Sequence, residues 1–245
     1  MKVVPIESGA TVFVASGRAR FSPQEGLALP MRSELDHLRR VLDSCDEAEV
    51  RRVVVLGSSD VAGLAETVDG RSVQAPRARY AEVKAALEDE CVLRAEAGMP
   101  ITSVRLAPVH GAGKSRTMDL VRLVRRRIVP LPSGGRHSIG FVLLDDAIRA
   151  LTWLGQNAAP AVVAVGGGPT PLRDLLDQLA IAQGVQPRFV PVPIPKRGLR
   201  TVATLPMPSS LHWLVRLSLP KAVQMEVPIP ISPLREVAAR LVSAC

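Results

Sequence analysis

The chain has 245 residues, of which 47% are hydrophobic, enough for a sizeable core, so disordered, collagen-like and coiled-coil proteins are excluded. Its net charge is +8, from 31 basic and 23 acidic residues, and such a charge attracts polyanions in general. Aromatic residues make up only 3% of the sequence, so stacking sites for bases are scarce and no nucleic-acid partner is expected.

Targeting and redox signals are weak in this sequence. No apolar run approaches the roughly 18 residues that a membrane-spanning helix needs, and Glu7 interrupts the start before a signal-peptide core develops. Cys45, Cys91 and Cys245 are far apart and not grouped with histidines, so neither a disulfide framework nor a metal site is expected. These features predict a cytoplasmic protein without a membrane span.

Short apolar runs rich in β-branched residues alternate with helix-like stretches. Strands are predicted at 11–15, 53–56, 101–106, 141–144 and 161–165, and helices at 33–43, 79–96, 117–127 and from 145 onward. A further helix is expected to have Thr170 as its N-cap and Pro171 at its first position. Strands that are apolar on both faces, with helices between them, predict an α/β fold with a parallel sheet covered on both faces.

Proline dominates the end of the chain, where the last 61 residues contain ten of the 21 prolines. Regular alternation of strand and helix is therefore expected to stop there. We predict one domain over 1–185, with cap insertions after 105, and a small irregular cap over 186–245. The apolar segment 211–217 is expected to pack over the domain rather than to lie on a membrane surface.

The densest basic run consists of Arg122, Arg125, Arg126 and Arg127, at the end of a predicted helix. The chain has 26 arginines and five lysines, so arginine is abundant everywhere. We therefore interpret the run as a solvated helix face in preference to a track for phosphates.

Tyr80 is the only tyrosine of the chain, and Lys84 follows it by four residues on a predicted helix. This spacing places both side chains on one face of the helix, one turn apart. A free phenol, with a pKa near 10, is a poor base at neutral pH, and a nearby ammonium favours its ionised form. The pair therefore suits proton transfer, and an ordinary exposed helical pair is the alternative.

Two serines, Ser58 and Ser59, follow a predicted buried strand, at the edge where open parallel sheets bind ligands. Their hydroxyls suit contact with a substrate carbonyl, and capping of a turn is the ordinary alternative. A serine-hydrolase elbow is disfavoured, because its second glycine would have to stand at Val61.

Further segments complete an ordered series along the chain. The series comprises Val12-Phe13-Val14-Ala15-Ser16, the strand and serines of 53–63, Tyr80-Ala81-Glu82-Val83-Lys84, Arg105-Leu106-Ala107-Pro108-Val109-His110-Gly111-Ala112-Gly113, the strand ending in aspartate at 141–146, and Val165-Gly166-Gly167-Gly168. From about residue 10 to 195 this order resembles the extended short-chain dehydrogenase/reductase family, in its NAD-dependent epimerase/dehydratase branch. The resemblance implies a Rossmann-like sheet and NAD or NADP as cofactor.

The resemblance also assigns roles to residues. The catalytic residues would be Tyr80 as acid and base, Lys84 on the nicotinamide ribose, and Ser58 on the reacting oxygen, with Ala15 along the cofactor. The substrate would be a nucleotide-linked sugar, or another small ketone or alcohol, bound by Arg105, His110 and Arg136. Segments 109–131 and 135–151 are most similar to enzymes that epimerise or reduce such sugars for surface polysaccharides.

The sequence departs from the family in one major respect, since it contains no counterpart of the opening βαβαβ unit with its Gly-x-x-Gly-x-x-Gly loop. Backbone amides of that loop approach the cofactor pyrophosphate, so weakened dinucleotide binding is expected. The fold is therefore expected to be incomplete at its amino-terminal side, leaving strand 11–15 at an open edge. A homodimer and a strand from 2–6 are the two favoured covers.

Two other functions stay open. One is a non-catalytic Rossmann-like module for binding or assembly, which the missing loop favours. The other is a phosphate-loop nucleotide hydrolase, suggested by Gly113-Lys114-Ser115 after a strand and by the acid Asp145 after another. Pro108 stands where that loop needs its first glycine and has no N–H for a phosphate, so the hydrolase is disfavoured.

Overall fold

A computed structural model of the protein describes residues 5–16, 28–111, 115–193 and 221–243. The strands in these ranges are β1 Thr11–Val14, β2 Arg52–Leu56, β3 Thr67–Val68, β4 Ile101–Leu106, β5 Val109–His110, β6 Ile128–Pro132, β7 Ser138–Ile139, β8 Val142–Leu143, β9 Val162–Gly168, β10 Thr170–Pro171, β11 Arg188–Val192 and β12 Ala222–Met225. The helices are α1 Ala28–Glu47, α2 Arg79–Glu96, α3 Ser115–Leu123, α4 Leu144–Gln156, α5 Leu172–Ala182 and α6 Leu234–Ser243, with a 3-10 turn at Ser59–Ala62.

The main sheet has six strands in the order β1-β2-β4-β9-β12-β3. Strands β1, β2, β4 and β9 are parallel neighbours, whereas β12 runs antiparallel to β9 and parallel to β3. Parallel strands end at the same edge of a sheet, so the segments after β1, β2 and β4 meet there.

Strand β2 shows how the sheet is covered on both faces. Val53 and Val55 belong to a buried cluster with residues of α1 and α2, whereas Val54 belongs to another with residues of α4. Successive side chains of a strand point to opposite faces, so a run of valines requires helices on both sides. The predicted α/β fold, with a mostly parallel sheet between helices, is confirmed.

Several predicted elements differ in detail from the structure. Helix α3 ends at Leu123 rather than at 127, because Leu123, Val124 and Val129 are all buried and the chain turns between them. The N-cap prediction for Thr170 is wrong, since α5 begins at Leu172 and Pro171 occupies the cap position. Thr170 instead pairs with Ile139 in a small antiparallel ladder.

The proline-rich tail contributes regular structure to the fold. Strand β12 lies inside the main sheet, between β9 and β3, and α6 packs with α5 in a second core cluster. The Glu226 carboxylate accepts hydrogen bonds from the Ala164 amide at 2.6 Å and the Gly70 amide at 2.7 Å. The domain boundary near 186 stays a prediction, but this part of the tail is joined to the sheet.

Strand β1 pairs only with β2 within the described part of the chain, and its Phe13 side chain is 48% exposed. Residues 2–4 of the strand proposed to cover this edge lie outside that part, and residues 5 and 6 are not in a strand. The covering homodimer therefore stays a prediction as well. No helix in the described ranges is long and apolar enough to cross a membrane.

The close approach of β12 to β9 can be tested at Gly166. A Cβ atom at this position would lie 2.5 Å from Val223 Cβ, far inside van der Waals contact. We expect Gly166→Ala to lower the free energy of unfolding by about 2 kcal/mol in urea titrations, because β12 has to move. For Gly111→Ala, the nearest described atoms to the new Cβ belong to the 37% exposed Leu144 side chain, at 3.0 Å, so this variant should cost clearly less. Equal losses in both variants would contradict the docking of β12.

Candidate active site

The Lys84 ammonium lies where the carboxyl ends of β1 and β2 meet. It donates hydrogen bonds to the carbonyl oxygens of Ser16, at 2.5 Å, and Leu56, at 2.7 Å. The Lys84 side chain is only 5% exposed, so the alternative of an ordinary exposed pair does not describe it. An ammonium has three N–H donors, and within the described part of the chain the third is not used in a hydrogen bond.

Burial of this charge without contact to a carboxylate of the described residues has an electrostatic consequence. Burial lowers the pKa of the Lys84 ammonium, and the Glu34 carboxylate opposes this shift. A buried cation held by main-chain dipoles favours a negative or electron-rich group nearby. The position therefore suits a lysine whose charge stabilises a nearby negative or electron-rich group, rather than a lysine that is hydrated at the surface.

Tyr80 stands one turn before Lys84 in the first turn of α2 and is half-buried. The two residues therefore share one side of the helix, as the sequence predicts. The same side continues with Glu88 and Cys91, both buried against the sheet. Burial, together with Glu88 and Glu90, raises the pKa of Cys91 to about 12, so this thiol stays neutral.

Ser58 has a structural task in addition to its predicted one. It is the N-cap of the 3-10 turn, and its hydroxyl accepts a hydrogen bond from the Asp60 amide at 3.2 Å. Its predicted contact with a reacting oxygen would have to use the hydroxyl proton, which this bond leaves available.

Two serine hydroxyls at this edge are distinctive in the structure: that of Ser59, for which the sequence predicts a substrate contact, and that of Ser16, to which it assigns no role. The Oγ atoms of Ser16 and Ser59 are buried and have no hydrogen-bond partner in the described part of the chain. A buried hydroxyl without a partner is unfavourable, so such groups are typical of places where a ligand completes the bonding. Both serines follow neighbouring parallel strands. The sequence places Ser16 in the family-like segment 12–16 and Ser59 beside Ser58, but nothing in it indicates that either hydroxyl lacks a partner.

The tail reaches the same edge through Lys221. Its Nζ atom donates to the Gly63 carbonyl at 3.2 Å and lies 3.6 Å from an Asp60 carboxylate oxygen. Lys221 thus holds the end of the loop after β2, a contact between residues more than 150 positions apart that the sequence does not reveal.

Arg105, a predicted substrate-binding residue, is 3% exposed and forms a two-pronged ion pair with Glu88 at 2.7 and 2.9 Å. It also donates to the carbonyl oxygens of Asp69 and Ser72. These contacts fix α2 to β4 and to the loop after β3. Its substrate contact stays a prediction, and the observed contacts give it a positioning role.

The other predicted site residues are dispersed. His110 is buried in β5, with its ring 3.3 Å from the Thr117 hydroxyl and edge-on to Phe141. Arg136 is exposed after the short turn Ser133–Gly135, and Ala15 is exposed at the end of β1. Their predicted roles toward substrate and cofactor stay predictions.

Two further regions lie apart from Lys84 or outside the described residues. Residues 112–114 of the suggested phosphate loop lie outside the described ranges, and Ser115 begins α3. A cavity of about 400 Å³, lined by Arg52, Met99 and Ile101 among others, lies at the amino ends of β2 and β4. It is thus at the opposite edge of the sheet from Lys84.

The two neighbouring serines should respond differently to truncation. Ser58→Ala removes a cap and should lower the free energy of unfolding by about 1 kcal/mol. Ser59→Ala removes an unsatisfied buried hydroxyl, so stability should be unchanged or slightly raised. Urea unfolding of both variants provides the measurement. A loss above about 1 kcal/mol for Ser59→Ala would show that its hydroxyl has a partner in the protein.

Solved structures with the same fold are numerous. The protein RMD from Pseudomonas aeruginosa, complexed with NADPH, aligns with a TM-score of 0.67 and 16% identity over 96% of this chain and 80% of that one. A UDP-glucose 4-epimerase from Thermotoga maritima with UDP-glucose aligns with a TM-score of 0.63 and 16% identity, over 96% of this chain and 76% of that one. The UDP-glucuronic acid 4-epimerase from Bacillus cereus with NAD aligns with a TM-score of 0.57 and 16% identity, over 85% of this chain and 72% of that one. These likenesses support the Rossmann-like fold.

No curated protein matches the sequence significantly. The profile of the NAD dependent epimerase/dehydratase family matches residues 20–166, which is more than half of the chain and includes Ser58, Tyr80, Lys84 and Arg105. The protein therefore belongs to the NAD-dependent epimerase/dehydratase family.

Proposed function

We propose that this protein is an NAD(P)-dependent epimerase or ketoreductase that acts on a nucleotide-linked sugar. One observation carries the proposal: the Lys84 ammonium is buried at the carboxyl ends of β1 and β2, one helical turn from Tyr80. Family membership supports the reaction class, and the sugar nucleotides bound by several neighbours support the substrate class. A role in surface polysaccharide synthesis stays a prediction.

In the proposed reaction Tyr80 takes the proton from a sugar hydroxyl as its carbon is oxidised, and returns a proton when the carbonyl is reduced. Lys84 favours the ionised phenol, because its charge is close and poorly solvated. Ser58 donates its hydroxyl proton to the same sugar oxygen and keeps it in place. Proton transfer by a positioned group is typically worth a factor of a hundred or more in rate.

The residues of this edge fit the ribose end of a dinucleotide. Ser16 and Ser59 offer unsatisfied hydroxyls, and Lys84 offers its remaining N–H. When bound, NAD or NADP would supply the acceptor or donor for the hydride. Because the 245 residues contain no glycine-rich pyrophosphate loop, we expect this chain to bind the dinucleotide more weakly than a protein with that loop.

The first test combines cofactor binding with turnover. Millimolar NAD(H) or NADP(H) should raise the thermal midpoint of the purified protein by a few degrees, since a ligand of the native state stabilises it by mass action. Tyr80→Phe should keep this shift and lose at least about a hundredfold in kcat. With UDP-glucose or UDP-glucuronic acid, net oxidation or reduction is measured as nicotinamide absorbance, and epimerisation, which leaves the cofactor unchanged overall, as formation of the epimeric sugar nucleotide.

The outcomes separate the candidate functions. Retained activity in Tyr80→Phe would remove the assigned base. No midpoint shift with either dinucleotide would contradict the enzyme and favour the non-catalytic binding module. Nucleotide hydrolysis that disappears in Lys114→Ala would favour the phosphate-loop hydrolase.

Lys84 should control the pH dependence of the reaction. Lys84→Met removes the charge that favours the ionised phenol, so the pH at which kcat/KM rises should move up by about one unit or more. Arg77→Met, which removes an exposed positive charge just before α2, is the matched control and should leave the profile in place. A pH profile that is identical in Lys84→Met and wild type would contradict the proposed coupling, and circular dichroism would verify folding.

A further inference from the structure

A cluster of exposed arginines surrounds the turn between α3 and β6. Four of them, Arg122, Arg125, Arg126 and Arg127, come from the turn and the end of the helix, and Arg188 comes from β11. Arg188 is the register partner of Ile128, and its amide donates to the Arg127 carbonyl at 2.9 Å. Five guanidinium groups from two segments therefore share one surface, which we name the arginine turn.

The shape of the arginine turn is fixed from the inside. Leu123, Val124 and Val129 are buried in the core cluster formed with α5 and α6. The Gln183 side chain, at the end of α5, donates to the Val121 carbonyl and accepts from Arg125 Nε at 2.7 Å. Arg122 extends from the last turn of α3, and the other arginines extend from an anchored turn or from β11 rather than from the solvated helix face that the sequence suggested.

These charges are not neutralised by the neighbouring side chains that the structure describes. None of the five guanidinium groups is in an ion pair with a described carboxylate, and Arg125 binds the neutral amide of Gln183. Asp119, three positions before Arg122, is the nearest acid along this segment, and Asp177 of α5 is paired with Arg173. The surface therefore keeps a strong positive charge.

Two large aliphatic side chains accompany the charges. Ile128 is 56% exposed beside Arg127 and Arg188, and Ile181 is 69% exposed two residues before Gln183. Exposed isoleucine is of no use to a purely electrostatic contact with phosphates in water. It is favourable where basic residues lie on lipid headgroups and an apolar side chain reaches the acyl boundary.

We propose that the arginine turn binds the surface of a membrane rich in anionic lipid. Charge complementarity supplies the attraction, and each basic residue near such a surface contributes about 1 kcal/mol, a factor of about five in partitioning. A nucleic-acid partner fits less well, because the aromatic ring next to Arg188 in the sequence, Phe189, is half-buried and covered by Arg173 at 4.2 Å. The contact is peripheral and independent of the proposed reaction.

The test is sedimentation of the full chain with vesicles. Vesicles of mixed phosphatidylglycerol and phosphatidylcholine should bind the protein at low salt, with less binding at high salt, and pure phosphatidylcholine should not. The variant Arg126→Glu/Arg127→Glu/Arg188→Glu should bind at least about a hundredfold less. Arg32→Glu/Arg40→Glu/Arg77→Glu changes three other exposed arginines and lowers the net charge equally, from +8 to +2, and should bind far better.

The remaining outcomes also decide the matter. Ile128→Ser should weaken vesicle binding severalfold at high salt, where the apolar contact makes the larger contribution. Absence of binding to phosphatidylglycerol vesicles at low salt overturns the proposal. Equal losses in the two triple variants, or displacement from vesicles by low concentrations of duplex DNA, also overturn it, because total charge or a nucleic-acid site would then explain the binding. Unchanged thermal midpoints verify that the variants fold.

Discussion

The central constraint in this protein is a cation buried at the end of a parallel sheet. Lys84 reaches the carbonyls of Ser16 and Leu56, so the ends of two neighbouring strands and the first turns of α2 are tied to one atom. Main-chain carbonyls offset only part of the cost of removing an ammonium from water. The remaining cost is reduced when an electron-rich group approaches, which is the physical basis for regarding this edge as a ligand site.

Helix α2 can present Lys84 in this way because it is fixed at a second point, one turn further along. Glu88 forms a buried ion pair with Arg105 of β4, and Arg105 in turn holds the loop after β3 through two carbonyls. Such a pair adds little net stability compared with apolar packing, but loss of either partner leaves a buried charge and is costly. Its value lies in fixing the position of the helix relative to the strands, and therefore the position of Lys84.

Periodicity predicted the elements whose sequence pattern and tertiary environment agree. Helix α2 and strand β4 have the predicted bounds, 79–96 and 101–106. Both are bordered by strong turn signals, β4 lies inside the main sheet, and α2 packs on one face of that sheet. The prediction failed at Thr170, where pairing with Ile139 outweighs a local capping preference, and at the end of α3, where buried side chains turn the chain. For the site, the Tyr80–Lys84 spacing was readable, but the unsatisfied hydroxyls of Ser16 and Ser59 depend on what surrounds them. No local pattern encodes that.

The arginines show most clearly that local sequence does not reveal the surroundings of a side chain. Because arginine is so abundant in this chain, the sequence does not show which individual arginine is structural and which could bind a partner. Arg105 is buried and uses four hydrogen bonds to fix two elements, and Arg52 donates to the Leu154 carbonyl near the end of α4. The arginines of the turn after α3 have an identical side chain but lie outside the core, without carboxylate partners in the described structure. Burial and partners decide whether a guanidinium positions the protein's own elements or attracts another molecule. The net charge of +8 therefore does not show where on the surface positive charge is concentrated, and the structure is needed for that.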